Sequence, residues 1–362
     1  MPNILFLDVK LSNIVVLCVH LIFSFISFKN LNLKPVLLVY FFIFLLILNV
    51  HSISIVFNSS SGFVDILDIF RNFSFFFFFL LGYSIDRSLF IKYFGSYLKI
   101  ILIILLISTF LSFLFRDSFD NLELYYGKID NAVSGRNFFP FYNPYDLGLF
   151  LLIPFIYFFL GKNYFLFLLS YMLIFSTQSR TAIILSLIFV LFSFVIFKNS
   201  RKIVFSLLIF ISLILGGIFY YFDTNILESF YLYDNSIKLL SGESTTLTKR
   251  YDQWENLISM DLFGSGVIHT NVQMVENGFL YEIIKFGVFS IITLLFYYTL
   301  PVFNSILFLL KNKLFNNRVN FTFAFWIVLF VIGSAMNVFL YQVKLSFVFW
   351  FVNGFLLKNF KC

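Results

Sequence analysis

Five polar residues, Ser176, Thr177, Gln178, Ser179 and Arg180, interrupt a long apolar stretch that resumes directly after them. Ser179 has a side chain favoured at a helix N-cap, so Arg180 is predicted to be the first residue of the next helix. A cation at the edge of an apolar segment is a candidate for function, because it is costly to keep there. The alternative is an arginine that only anchors the helix end by extending its charge into water. The small polar neighbours favour a polar cavity, with Gln178 and Arg180 as site candidates.

A second candidate group lies in the motif GRNFFPFYNPYDLGLFLL at residues 135–152. Asn143 is predicted to cap a helix, with Pro144 at its first position and Asp146 in its first turn, where an acid complements the helix dipole. A well-formed helix start explains these three residues without any function. The functional interpretation adds Arg136, which is predicted to stand beside that helix start.

A third group lies in residues 248–290. Arg250 and Trp254 are four residues apart and therefore share one helical face. The sequence FGSGV then predicts a flexible turn, and His269 after it is interpreted as a solvated loop residue.

Glu276 begins a helical stripe that continues at Leu280, Ile284 and Gly287. Glu276 is thus predicted at the mouth of a span, and Gly287 allows close helix contact within the membrane. An acidic residue at a helix start is also favoured by the macrodipole alone, so that interpretation stays open. Lys285, deeper in the same helix, is either a buried partner or a side chain that extends to the membrane surface.

The bulk composition excludes a soluble fold. The 362-residue chain is 60% hydrophobic and 12% charged, with a mean hydropathy of +0.95, whereas soluble domains contain about 25% charged residues. Repeated apolar stretches of roughly 20 residues can each cross a bilayer as a helix. We therefore predict an all-α fold: a single polytopic integral membrane domain over residues 1–362. Runs of phenylalanine such as FSFFFFFL at residues 73–80 suit a lipid-facing helix, and the total of 59 is interpreted as lipid contact and mutational bias in place of an aromatic binding site.

Eleven membrane spans are predicted, within a range of 10 to 12, at about residues 11–28, 35–57, 66–84, 96–115, 144–160, 163–178, 181–197, 203–222, 280–309, 319–340 and 345–357. The basic residues set the orientation, because short loops rich in lysine and arginine stay in the cytoplasm. These loops contain Lys29/Lys34, Arg87/Lys92, Lys162, Lys198/Arg201/Lys202, Lys311/Lys313/Arg318 and Lys358/Lys361. Asp86 is the one acid assigned to such a loop. Residues 116–143 and a large segment with short helices at residues 223–279 are predicted to face outward.

The net charge of +7 is interpreted as anchoring to the inner leaflet, so no nucleic-acid partner is expected. The two cysteines, Cys18 and Cys362, show no pairing pattern. The chain has no acidic cluster or His/Cys set with metal-ligand spacing, and we expect neither a metal nor a cofactor.

The order of these motifs resembles the O-antigen ligase/polymerase superfamily of bacterial inner-membrane enzymes, which includes Wzy and WaaL. The resemblance rests on the Asn-Pro helix start, TQSRT, R-x3-W, G-x-G and ENGFL-x5-FG, and its motifs cover about residues 130–290. Many members have His-Asn where this chain has Glu276-Asn277. This difference favours a polymerase over a ligase, because the histidine is more typical of ligases.

The resemblance implies transfer of a glycan from an undecaprenyl-pyrophosphate donor to a hydroxyl of a lipid-linked acceptor at the periplasmic face. Arg180 and Arg250 would stabilise the departing pyrophosphate, since guanidinium groups match phosphate oxygens in a bidentate manner. Glu276 would be the general base. The remaining expected substrate-binding residues are Arg136, Asn143, Gln178, Trp254, His269 and Asn277, with Arg136 as a third cation and His269 as the second choice of base. A chain-length regulator in the membrane is a candidate partner.

Three alternatives remain open from the sequence. A ligase would use the same donor with lipid A core as acceptor. A transporter or flippase of lipid-linked sugars predicts internal repeats and charges along a path through the membrane, whereas we see no repeat and expect the unusual charges at the outer face. A scaffold without chemistry would not need outward arginines at helix starts.

Overall fold

The computed structural model describes residues 5–6, 9–10, 35–57, 63–114, 141, 143–196, 262, 264, 277–311 and 318–358. The predicted spans at 11–28 and 203–222, and most of the outward segments at 116–143 and 223–279, lie outside these residues. A two-residue antiparallel strand pair, β1 (Leu5–Phe6) with β2 (Val9–Lys10), is present near the N-terminus. The other described elements are helical, which confirms the all-α class for this part of the chain.

Eleven α-helices occur in the described residues, namely α1 (Pro35–Phe57), α2 (Phe63–Ser84), α3 (Arg87–Leu114), α4 (Pro144–Leu160), α5 (Tyr164–Ser176), α6 (Arg180–Ile196), α7 (Gly278–Phe286), α8 (Ser290–Leu294), α9 (Leu300–Lys311), α10 (Arg318–Ser334) and α11 (Val343–Leu357). A 3₁₀ turn (Gly287–Phe289) joins α7 to α8, a π-helical turn (Leu295–Thr299) joins α8 to α9, and a further 3₁₀ turn (Phe339–Tyr341) precedes α11.

Nine of the predicted spans coincide with helical segments in the described residues, although two bounds differ by more than a helical turn. The span predicted at 96–115 begins earlier, at Arg87, because its first turns contain polar residues that lower the local hydropathy. The span predicted at 319–340 ends at Ser334, where the chain tightens into i→i+3 bonds, with Ala335 N donating to Ile332 O (3.2 Å) and Met336 N to Gly333 O (2.9 Å).

Two of these helical segments, Arg87–Phe110 and Gly278–Leu310, are long and apolar enough to cross a membrane. Shorter apolar helices account for the other described spans. The count of eleven crossings therefore stays a prediction.

The chain divides into two compact units, one formed by residues 1–97 and 248–362 and the other by residues 98–247. In the first unit, α2 and α11 lie in direct backbone contact. A Cβ atom on Gly82 would collide with the carbonyl oxygen of Phe351, and one on Gly354 would collide with that of Phe79. The absence of side chains at both positions is therefore what allows the two helices to approach so closely.

Basic residues gather at one end of this first unit. Arg87 Nη2 donates to Asn320 Oδ1 (3.4 Å) and to the Phe355 carbonyl oxygen (3.3 Å). Lys358 Nζ donates to the carbonyl oxygen of Ile85 (3.0 Å). The chain segments around residues 85–87, 318–320 and 355–358 thus lie together, in agreement with the charge pattern that assigned them to one side of the membrane.

Asp86, the one acid assigned to that side, caps α3. Its Oδ1 accepts hydrogen bonds from the Ser88 hydroxyl (2.7 Å), the Ser88 N–H (2.9 Å) and the Leu89 N–H (3.3 Å). These bonds, the one from the Ser88 hydroxyl first, hold the pKa of Asp86 below its ordinary value. Helix capping therefore explains why an acidic residue, Asp86, occurs on the side of the membrane that is otherwise basic.

In the second unit, α4 packs against both α5 and α6. Gly148 of α4 makes this packing close, since a Cβ there would lie 2.6 Å from the Ala182 Cβ. The start of α6 is thereby held against the first turns of α4.

Gly354→Val should lower the free energy of unfolding by about 3 kcal/mol or more, because the added side chain meets the Phe79 backbone and not a flexible side chain. The measurement is the thermal unfolding midpoint of the purified protein in detergent. Ala335→Val adds volume at an exposed position and serves as the control. Equal midpoints for the two variants would contradict the close approach of α2 and α11.

Candidate functional site

The start of α4 has the geometry predicted for it. Asn143 is extended (φ −137°), its Oδ1 accepts a hydrogen bond from Asp146 N (2.8 Å), and Pro144 is the first helical residue. The carboxamide oxygen of Asn143 is thus engaged by the helix.

The turn between α5 and α6 also agrees with prediction. Ser179 Oγ accepts a hydrogen bond from Ala182 N (3.3 Å), and α6 begins at Arg180. Thr177 Oγ1 donates to the Ile174 carbonyl oxygen (2.6 Å) and accepts from Ser179 N (3.2 Å). The polar side chains of this interruption therefore shape the turn and cap the helix that carries Arg180.

Gln178 has a strained backbone. Its φ is +49° and its side chain is only 5% exposed. A left-handed conformation is uncommon for a residue with a long side chain, and such strain tends to occur at functional sites. Its burial beside Arg180 keeps Gln178 a site candidate.

Two helix starts meet beside Arg180. A Cβ on Gly148, one turn into α4, would lie 3.2 Å from Thr177 Oγ1 and 3.3 Å from Ser179 Cβ. The N-termini of α4 and α6 therefore lie at the same end of this unit. Each helix start carries roughly half a positive charge, and Arg180 adds a full one. Asp146, buried in the first turn of α4, offsets part of it.

In the other unit, Asn277 caps α7. Its Oδ1 accepts hydrogen bonds from Phe279 N (2.9 Å) and Leu280 N (3.1 Å). Glu276 directly precedes this cap but lies outside the described residues, as do Arg136, Arg250, Trp254 and His269. Their roles stay predictions.

A pair of glycines ties the FGSGV segment to the end of α7. Gly264 (φ +81°) and Gly287 (φ +56°) both have backbone conformations that favour glycine. A Cβ on Gly264 would collide with the Lys285 carbonyl oxygen, and one on Gly287 would collide with that of Leu262. Val288 N also donates to the Leu262 carbonyl oxygen (3.0 Å). Gly287 was predicted to allow close helix contact, and its observed neighbour is this loop segment.

Comparison with protein families provides the decisive observation. Residues 165–295 match the family model described as O-Antigen ligase. The match supports a similarity of this segment to the O-antigen ligase/polymerase superfamily. Comparisons with curated proteins and with solved structures find no significant match.

The matched segment contains most of the predicted site. Gln178, Arg180 and Asn277 lie within it, together with Arg250, Trp254, His269 and Glu276, whereas Arg136 and Asn143 lie before it. Proteins of the O-antigen ligase/polymerase superfamily are membrane proteins that act on lipid-linked oligosaccharides in polysaccharide assembly. The choice between polymerase and ligase is not made by the match.

Two charged residues are buried in α7, of which Lys285 was expected either there or at the membrane surface and Glu282 was not singled out. Glu282 is 0% exposed and Lys285 is 1% exposed, both within α7. Lys285 Nζ lies 4.9 Å from the ring centroid of Phe286 and 6.0 Å from that of Tyr281, so Lys285 is buried among aromatic rings. The buried alternative for Lys285 is the one that the structure shows, whereas Glu282 was overlooked in the sequence. The signal was an acid three residues from a lysine in an apolar helix, which places both on one face.

Gln178→Val should lower the free energy of unfolding by about 1–2 kcal/mol, because a β-branched side chain is poorly compatible with a positive φ. Gln178→Asn is the matched control, since asparagine tolerates this conformation and keeps the carboxamide. Both are measured as thermal unfolding midpoints in detergent. A Val variant as stable as the Asn variant would contradict the left-handed backbone.

Gly287→Ala should reduce both stability and activity, because the added methyl group meets the Leu262 backbone at a positive φ. Val288→Ala changes an exposed side chain next to it and is expected to leave both unchanged. The same contact is tested by crosslinking the pair Leu262→Cys and Val288→Cys, with Cys18 and Cys362 replaced by serine. The disulfide should form in membranes, and its absence would contradict the glycine contact.

Proposed function

We propose that this protein is an O-antigen-type polysaccharide polymerase. It transfers glycan from an undecaprenyl-pyrophosphate donor to a lipid-linked acceptor repeat. The observation that carries the proposal is the meeting of the starts of α4 and α6 beside Arg180, within a unit that overlaps the superfamily match. A helix start attracts anions through its backbone N–H groups and its dipole. Two such starts and a guanidinium group suit a pyrophosphate.

The proposed reaction is a single displacement at the anomeric carbon of the donor. The acceptor oxygen forms a bond to that carbon, and the bond from the carbon to the pyrophosphate oxygen breaks. The electron pair leaves with the pyrophosphate, so negative charge develops on the leaving group. Arg180 and Arg250 stabilise that charge, as groups that are fixed in place before the reaction do most effectively. Arg136 is the third cation of this proposal.

Glu276 accepts the proton of the attacking hydroxyl in this proposal. Its neighbour Asn277 caps α7, so the carboxylate belongs to the chain segment that leads directly into a helix start. The helix dipole stabilises a negative charge there. His269 is the second choice of base, and Asn143, Gln178, Trp254 and Asn277 contact the glycans.

The proposed location is the bacterial inner membrane, with the reaction at the periplasmic face. The gathering of Arg87, Arg318 and Lys358 at one end of their unit supports a cytoplasmic position for that end. Helix α10 begins at this basic end with Arg318 and finishes at Ser334, whose carbonyl oxygen lies beside Gly278 at the start of α7. The start of α7 therefore faces the periplasm in this proposal.

A ligase is the second candidate, because the matching family model is described as O-Antigen ligase. It would use the same donor and the same cations, with lipid A core as acceptor. Deletion of the gene separates the two functions. Loss of a polymerase reduces the surface glycan ladder to a single short band, whereas loss of a ligase leaves free lipid-linked polymer.

Arg180→Ala should reduce polymer formation by roughly 10²–10³-fold, the usual effect of removing one stabilising group from a transition state. Arg180→Lys should recover only part of the activity, because an ammonium group lacks the bidentate geometry. The measurement is the glycan ladder of a deletion strain complemented with each variant, at matched membrane expression. Lys92→Ala removes an exposed charge and should give a full ladder.

Glu276→Gln should also abolish the ladder, since the amide cannot accept the proton. A full ladder from Arg180→Ala would remove Arg180 from the mechanism, and a full ladder from Glu276→Gln would remove the proposed base. Loss of the ladder in the Lys92 control would point to failed insertion and not to chemistry.

A further inference from the structure

The π-helical turn at Leu295–Thr299 directs two consecutive tyrosines into the protein. Tyr297 is 0% exposed and Tyr298 is 2% exposed. π-Helical turns are rare within helices and are frequent at functional sites. These tyrosines follow the segment that matches the superfamily, so the match assigns nothing to them.

The hydroxyl of Tyr298 lies beneath the start of α7. A Cβ on Gly278, the first residue of that helix, would lie 3.2 Å from Tyr298 Oη. The Tyr298 ring packs edge-on against Phe279, with ring centroids 4.7 Å apart. Tyr298 is therefore held by its ring, and its polar end is directed at the helix start that follows Glu276 and Asn277.

This hydroxyl is buried and has no hydrogen-bond partner among the described residues. An unsatisfied buried hydroxyl destabilises a fold, and phenylalanine would fill the same space without that cost. A protein is expected to keep a destabilising polar group where its function requires that group. The unsatisfied Tyr298 hydroxyl therefore points to a hydrogen-bond partner that is part of the substrate.

The surroundings of the Tyr298 hydroxyl favour a neutral partner. The carbonyl oxygens of Ser334 and Asn337 lie 3.0 Å and 3.2 Å from the same Cβ position on Gly278. The carboxylate of Glu282 also acts electrostatically on Tyr298. These oxygens would repel a phosphate, whereas a sugar hydroxyl can donate to a carbonyl and accept from a phenol.

We propose that Tyr298 is a substrate-contacting residue that donates a hydrogen bond to a sugar oxygen of the acceptor glycan at the start of α7. This inference rests on the proposed transferase function and deepens it. It assigns the start of α7 to the acceptor sugar. Asn277, which caps α7, then lies on the acceptor side.

The test is Tyr298→Phe in the full-length protein, which removes one oxygen atom and keeps the ring contact with Phe279. The thermal unfolding midpoint in detergent should stay unchanged or rise. The rate of polymer formation should fall by about 10-fold or more, the equivalent of one lost hydrogen bond. The probe is the lipid-linked repeat extracted from the host and supplied to membrane vesicles at increasing amounts.

Ser305→Ala is the matched control. Ser305 Oγ is also buried without a hydrogen-bond partner in the described part of the chain, but it lies in α9. Its removal should leave polymer formation unchanged. An equal rate from wild type and Tyr298→Phe, beside an inactive Arg180→Ala variant, would overturn the role of Tyr298 alone.

Failure of the wild-type chain to restore the ladder of a deletion strain is a distinct result. It would remove the polymerase assignment, and the acceptor role of Tyr298 would fall with it. A Tyr298→Phe variant that unfolds at a lower temperature would also contradict the inference, because the hydroxyl would then have a structural partner.

Discussion

Helix starts surrounded by apolar residues have no water to satisfy their first N–H groups, so the chain must supply its own acceptors. Asn143, Ser179 and Asn277 do this at α4, α6 and α7. The polar residues of the candidate site that the structure describes, Asn143, Gln178, Arg180 and Asn277, are consequently found at these three places. The residues that cap the helices and the candidate site residues therefore lie in the same short segments. In an apolar bundle, a capped helix start is where polar side chains occur and where the helix dipole is positive.

Much of this arrangement could be predicted from the residues themselves. The caps at Asn143 and Ser179 have local signals, since a short polar side chain precedes a helix and Pro144 or Arg180 follows it. The positions of the helices can be predicted from hydropathy. The predicted bounds are wrong where the first turns of a helix are polar, as in α3, or where the turn after a helix is apolar, as after α10. The shared position of Arg87 and Lys358 follows from charge alone.

Tertiary features escaped prediction because no local pattern encodes them. The contact between Gly264 and Gly287 joins a loop to a helix end, and a glycine in either place suggests only flexibility when it is considered alone. The buried state of Glu282 depends on which neighbours pack against α7. Tyr298 is one of 20 tyrosines, and only the π-helical turn and the position of Gly278 distinguish it from the others.

The contact between α2 and α11 also bears on how the protein is made. Arg87, just after α2, and Phe355, in α11, are 268 residues apart. At ribosomal rates of about 5–20 residues per second, roughly 15–50 s separate the synthesis of the two segments. During that interval the surface of α2 around Gly82 has no partner from α11 and must be covered by lipid, another helix or an insertion factor. The packing of α2 is therefore completed only after α11 has been synthesised and has entered the bundle.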